Sequence, residues 1–174
     1  MDESELLIAL SKLDVRLATS FDVVIIGGAA MILHFGARRA TLDVDVIVLK
    51  GNTRQLRKAV AAIAVEMGLR EDWLNDGAKG FAGILPPDFQ NRLQPLEYPF
   101  EHLHLYALGL PDQVVLKIIA LRAQDLEDLA LLLPRLSAAD RKSVIASMHY
   151  LSKARPDWAQ RMQYFLEEQG WNLD

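Results

Sequence analysis

The chain has 174 residues, 51% of them hydrophobic and 24% charged, a balance that suits one domain or a small core with a helical appendage. With no cysteine it has no disulfide, thiolate zinc site or cysteine nucleophile, and a cytoplasmic location fits. A net charge of −4 excludes a wholly basic nucleic-acid footprint, and no run of roughly 18 apolar residues offers a membrane span.

The start, MDESELLIAL, is acidic where a secretory leader is basic, so no leader is read. Residues 4–18 place Leu6, Leu7, Leu10, Leu13 and Leu17 at helical spacing, with Ser4 as the expected N-cap. DVVIIGG follows as a buried strand and a tight glycine turn, and AAMILHFGA as a short helix. TLDVDVIVL reads as a second strand, KGN as a turn, and residues 53–67 as an amphipathic helix capped by Thr53 and ended near Gly68.

EDWLNDGAKGFAGILPPDF is read as loops with a short helical turn at Trp73, and its Lys79 as either a substrate contact or a solvent lysine. RLQPLEYP and EHLHLYALG read as two strands, the first an edge strand because of Pro95. From Pro111 the pattern is helical. Val114, Val115, Ile118 and Ile119 share a face, apolar spacing continues to Pro134, Ser137 with Asp140 forms a capping-box start, and a last helix runs from Pro156 to Gly170. The expected class is α+β: a small mixed sheet flanked by helices over residues 1–108, then a helical region, 109–174, packed on it.

Within RRATLDVDVIVL, strand alternation puts Leu42, Val44, Val46 and Val48 on one face and Asp43, Asp45, Ile47 and Leu49 on the other. Two carboxylates on a half-buried sheet raise a pKa or demand a cation, and a hard divalent metal such as Mg²⁺ suits oxygen ligands. The plainer alternative is a solvent-facing strand end whose acids pair with Arg38 or Arg39. Upstream, Gly27-Gly28 stands between a strand and a helix, where backbone approaches a ligand closely and a helix N-terminus receives phosphate. The pattern is neither G-x-G-x-x-G nor a P-loop.

The combination IIGGAAMILHFGARRATLDVDVIV resembles the nucleotidyltransferase (DNA polymerase β-like) superfamily. More closely it resembles the bacterial minimal nucleotidyltransferases related to AbiEii-type toxins, with their GG turn and R-x-T-x-D-x-D, here Arg39, Thr41, Asp43 and Asp45. WLNDGAKGF and YALGLPDQVVLKIIALRAQDLEDLALLL are also similar, so the resemblance covers about residues 21–133. It implies that Gly27 and Gly28 hold nucleotide phosphates, that Asp43 and Asp45 bind Mg²⁺ in a one- or two-metal site and are catalytic, and that Arg39 and Thr41 contact phosphate. Lys117 would be a further nucleotide contact, since the family carries a Lys and an Arg where Lys117 and Arg122 stand. By pattern alone these two, with Asp125 and Asp128, make a solvated helix face with ion pairs.

The implied chemistry moves a nucleoside monophosphate from an NTP to an RNA (such as tRNA) or protein acceptor, in a toxin–antitoxin system with a cognate antitoxin or toxin partner and no membrane. One departure stands out. The superfamily adds a third carboxylate from a neighbouring strand, and EHLHLYAL, read as that strand, offers only Glu101 at its start or His104. This motivates the alternative of a catalytically inactive binding module, antitoxin-like. The four histidines lack zinc-site spacing, no G-x-S-x-G exists, and the tryptophans read as packing residues. A DNA-binding regulator built on the C-terminal helices is disfavoured, because their basic residues alternate with acids.

Overall fold

The computed structural model describes residues 1–76 and 83–173, so Lys79 and the GAKGF segment lie outside the described residues. The class is α+β as expected, and the chain divides into two units. The first comprises Met1–Ala82 and Leu93–Leu108. The second comprises Gly83–Arg92 and Gly109–Asp174. No helix among the described residues is long and apolar enough to cross a membrane.

The first unit opens with helix α1, Glu3–Arg16. Its cap is Asp2, not Ser4. The Asp2 carboxylate accepts the Glu5 N–H at 2.9 Å, and the Glu5 carboxylate accepts the Asp2 N–H at 3.0 Å, so one capping box serves two otherwise orphaned donors. Strand β1, Phe21–Ile26, runs directly into the short helix α2, Gly27–Leu33. Strand β2, Val44–Lys50, leads to helix α3, Thr53–Met67. Asn52 caps α3 in place of the expected Thr53, its side-chain oxygen accepting from Arg54 and Gln55 N–H groups. The helix ends at Gly68, as read.

Trp73 closes a single turn, its N–H donating to the Arg70 carbonyl at 3.1 Å, and no helix follows. It is fully buried, its indole N–H donates to the Val60 carbonyl at 3.1 Å, and it delivers the chain into a two-residue strand β3, Leu74–Asn75. Strands β4, Gln94–Leu96, and β5, Leu103–Ala107, complete a sheet of order β3-β2-β1-β5-β4. β1 is antiparallel to β2 and parallel to β5, β2 is parallel to β3, and β4 is antiparallel to β5. Pro95 sits on the edge strand, where its missing N–H costs little.

One sheet face carries the core. Val23 and Ile25 of β1, Val44 and Val46 of β2, and Leu103 and Leu105 of β5 cluster with Leu10 and Leu13 of α1 and with Val60 and Ile63 of α3. The alternation read for β2 therefore holds from Val44 onward. Asp45 and Ile47 point to the opposite face, whereas Asp43 precedes the strand.

The second unit holds a 3₁₀ turn, Pro87–Arg92, and helices α4, Leu110–Ala120, α5, Ala123–Leu132, α6, Ala138–Ala154, and α7, Pro156–Glu168. Pro111 stands in the first turn of α4, and Ser137 with Asp140 caps α6, both as the sequence predicts. Arg92 closes the 3₁₀ turn onto α4. It donates twice to Asp112 at 2.8 Å, and once to Asp88 at 2.5 Å. Burial pushes the Asp112 carboxyl up, and the paired guanidinium opposes that rise without cancelling it.

Asp14, near the end of α1, is buried and fixes the entry to β5. Its carboxylate accepts the N–H groups of Glu101 at 3.0 Å, His102 at 2.7 Å and Leu103 at 2.8 Å. Burial pushes this carboxyl up, but the three donors outweigh it and leave the group below its ordinary value. A depressed folded pKa adds stability that is fully present above the unfolded value, about 3.9, and is lost as pH falls through the folded value. Asp14→Asn should cost about 2 kcal/mol at pH 7, since an amide cannot accept all three bonds. Urea denaturation between pH 2 and pH 7 should also show a weaker acid dependence for the variant, and equal acid slopes would refute this role.

Candidate functional site

The site is built where β1 ends. The antiparallel register sets Ile26 opposite Asp45, so the carboxylate of β2 lies beside the turn that follows β1. Gly27 occupies the left-handed region at φ +65°, which only glycine adopts at no cost. A Cβ on Gly27 would lie 3.2 Å from Asp45 Oδ2. A Cβ on Gly28 would lie 2.8 Å from Thr41 Oγ1 and 3.9 Å from an Arg39 guanidinium nitrogen. Five residues singled out from sequence, Gly27, Gly28, Arg39, Thr41 and Asp45, thus meet at one place. The missing side chains of the two glycines let Asp45 and Thr41 close onto the turn.

Thr41 is the anchor of the segment leading into β2. Its hydroxyl donates to the Asp43 carbonyl at 3.1 Å, its N–H donates to the Met1 carbonyl at 2.8 Å, and its own carbonyl accepts from the Met1 amino group. These bonds hold the 41–43 backbone against the start of α1. Asp43 and Asp45 are both half-buried, but only Asp45 belongs to the β2 ladder. Two cations stand near, Arg39 and Arg70. Arg39 is half-buried at the glycine turn, while Arg38 is exposed. With Leu7, Ile32 and residues of the α1 start they line an open cavity of about 900 Å³. Arg70 is held charged chiefly by its paired hydrogen bonds to Asp72 at 3.0 and 2.9 Å, and the Asp43 carboxylate adds to that pull. Arg70 had no signal in the sequence, because its proximity to Asp43 depends on how the chain returns from α3.

The α2 helix has seven residues, so its dipole contributes less than the sequence reading assigned to it. What the turn offers beyond that short helix is bare backbone at the two glycines and the nearby Arg39 charge.

Lys117 belongs to the second unit. It is buried, and its ammonium lies 2.8 Å from Asp125 and 2.6 Å from Asp128, both buried as well. The solvated charge face expected for these acids is therefore an internal triad. Arg122, expected to pair with them, is largely exposed and stands 3.8 Å from Asp125.

Glu101 and His104 do not reach the aspartates. β5 neighbours β1, not β2, and pairs His104 with Asp22, four residues before Ile26. At 3.3 Å per residue that is about 13 Å along the strand. His104 instead contacts Asp22 through Nδ1 at 2.8 Å, and Glu101 donates its N–H to Asp14. The strand that borders β2 on its other side is β3, which sets Asn75 beside Asp45. Among the described residues no group of three His, Cys, Asp or Glu side chains is placed to hold a metal ion.

Over residues 5–165 the chain matches the family described as nucleotidyltransferase of unknown function (DUF6036), and it belongs to that family. No curated protein matches it, and no solved structure does. The membership makes the chain nucleotidyltransferase-like.

The tight seat of Gly28 gives a direct test. Gly28→Ala should destabilise the protein, and Thr41→Ala should lose the bond to Asp43, but the double variant should recover about 1 kcal/mol relative to additivity. Gly27→Ala should cost about 1–2 kcal/mol through its left-handed backbone, with no such rescue. Denaturant titration of all four variants measures this, and strict additivity of Gly28→Ala with Thr41→Ala would show that the two positions do not touch.

Proposed function

We propose that this protein is a Mg²⁺-dependent nucleotidyltransferase that moves a nucleoside monophosphate from an NTP to an RNA or protein acceptor. The observation that carries the reading is the glycine turn seated against Asp45, Thr41 and Arg39. The donor set fits the metal. Asp43 and Asp45 supply hard oxygens, and Mg²⁺ is commonly bound through one or two carboxylates while keeping water and phosphate oxygens in its shell. Bound there, Mg²⁺ would neutralise phosphate charge and polarise the reacting phosphoryl group.

The chain's own residues do the rest. Gly27 and Gly28 present bare backbone to the triphosphate, and a larger side chain at either would collide with Asp45 or Thr41. Arg39 offsets the charge that develops on the phosphates. Thr41 fixes the backbone from which Asp43 projects. The likeness of the R-x-T-x-D-x-D segment to the AbiEii-type toxins supports placing this activity in a cytoplasmic toxin–antitoxin pair, with tRNA or another RNA or a protein side chain as acceptor and a cognate protein as partner.

One observation favours a second reading, a catalytically inactive member that acts as a binding module. Among the described residues no third acid joins Asp43 and Asp45. The two readings separate in one experiment. Protein incubated with Mg²⁺, each labelled NTP and either RNA or cell extract should transfer label, and Asp43→Asn and Asp45→Asn should abolish transfer while melting like wild type. Absence of transfer together with tight partner binding would establish the binding module instead.

A further inference from the structure

We infer that Asn75 is a ligand of the cation held by Asp43 and Asp45, and that the site takes a single divalent ion. The inference rests on the metal-dependent reading above and names a residue and a stoichiometry within it. β3 pairs with β2 in parallel, Leu74 beside Val44 and Asn75 beside Asp45. Residues side by side in adjacent strands share a face at a backbone spacing of about 4.8 Å. Burial bears this out: Leu74 and Val44 both lie in the hydrophobic cluster, so Asn75 and Asp45 both face away from it, each half-buried. The Asn75 carboxamide thus stands beside Asp45 on the flank opposite the glycine turn. The turn and Asn75 bracket the carboxylate from two sides.

The chemistry of that neighbour matters. A carboxamide oxygen is a hard donor without charge, and hard-cation sites are tuned by the number and charge of their oxygen ligands. Asp43 and Asp45 supply two negative charges, which one divalent cation balances. A third carboxylate in this place would leave an excess charge that favours a second ion. Asn75 adds a donor and no charge, so it extends the shell of one cation and does not recruit another. The trace of β3 also accounts for this residue's position. Trp73 is locked by its bond to the Val60 carbonyl and its backbone carbonyl accepts the Val44 N–H at 2.7 Å, which fixes the register two residues on.

The test uses the full chain and Mn²⁺ alone, followed by electron paramagnetic resonance and calorimetry. Wild type should bind one Mn²⁺ per chain. Asn75→Leu, close in size and without a donor, should weaken binding about tenfold, and Asn75→Asp should tighten it by about as much and admit a second ion. Asp45→Asn should remove the site. Melting temperatures report folding, and the Asp variant decides the matter if the Leu variant is unstable. Wild-type affinity in both Asn75 variants, with loss in Asp45→Asn, would overturn the role of Asn75 and leave the metal site standing. No Mn²⁺ uptake by wild type would overturn both.

Discussion

Ile26 standing opposite Asp45 is the constraint on which the site depends. It is a matter of register, and a slip of one residue would exchange the two faces of β2, sending Asp45 into the core and Val44 or Val46 out of it. The apolar face makes such a slip costly. Val44 and Val46 are completely buried against α1 and α3, and Val23 and Ile25 face them from β1. Hydrophobic packing on one side of the sheet thereby positions a carboxylate on the other. The glycine turn follows, because it begins at the residue after Ile26 and has no room to be elsewhere.

Much of this was legible in the sequence because it is local. Period-two alternation identified the β2 faces, a β-branched run ended by two glycines identified β1 and its turn, and Ser137 with Asp140 identified the start of α6. The errors in capping are also local and small. Ser4 and Thr53 each lie one or two residues from the true cap, and Asp2 wins through its reciprocal partner Glu5, while Asn52 outcompetes Thr53 by reaching two N–H groups. These are competitions between neighbours of similar cap preference.

The illegible part is topological. Strand adjacency is not written in any single strand, so EHLHLYAL reads as a neighbour of β2, whereas β5 borders β1. β3 has two residues and no periodicity to detect. It exists because Trp73 is buried and anchored, a tertiary cause that overrides the turn-like composition around it. The solvated face read for Lys117, Asp125 and Asp128 differs for another reason. A lysine with two aspartates at helical spacing reads equally as a surface ladder or a buried triad, and only the near-complete burial of α4 distinguishes them. Such a triad is held together because removing any member strands the others in an apolar setting.

The clamp between Arg92 and Asp112 bears on how the polypeptide can be divided. The chain leaves the first unit, contributes Gly83–Arg92 to the second, returns for β4 and β5, and leaves again at Gly109. The second unit is therefore not a contiguous C-terminal piece. A fragment begun at Gly109 would carry Asp112, buried in the intact chain, with its guanidinium cut away. Breaking a buried ion pair by removing one partner costs up to about 3–5 kcal/mol, a large share of the stability of a small helical bundle. Separating the units genetically would thus require carrying the 83–92 segment across, joined by a new linker to the helices it braces.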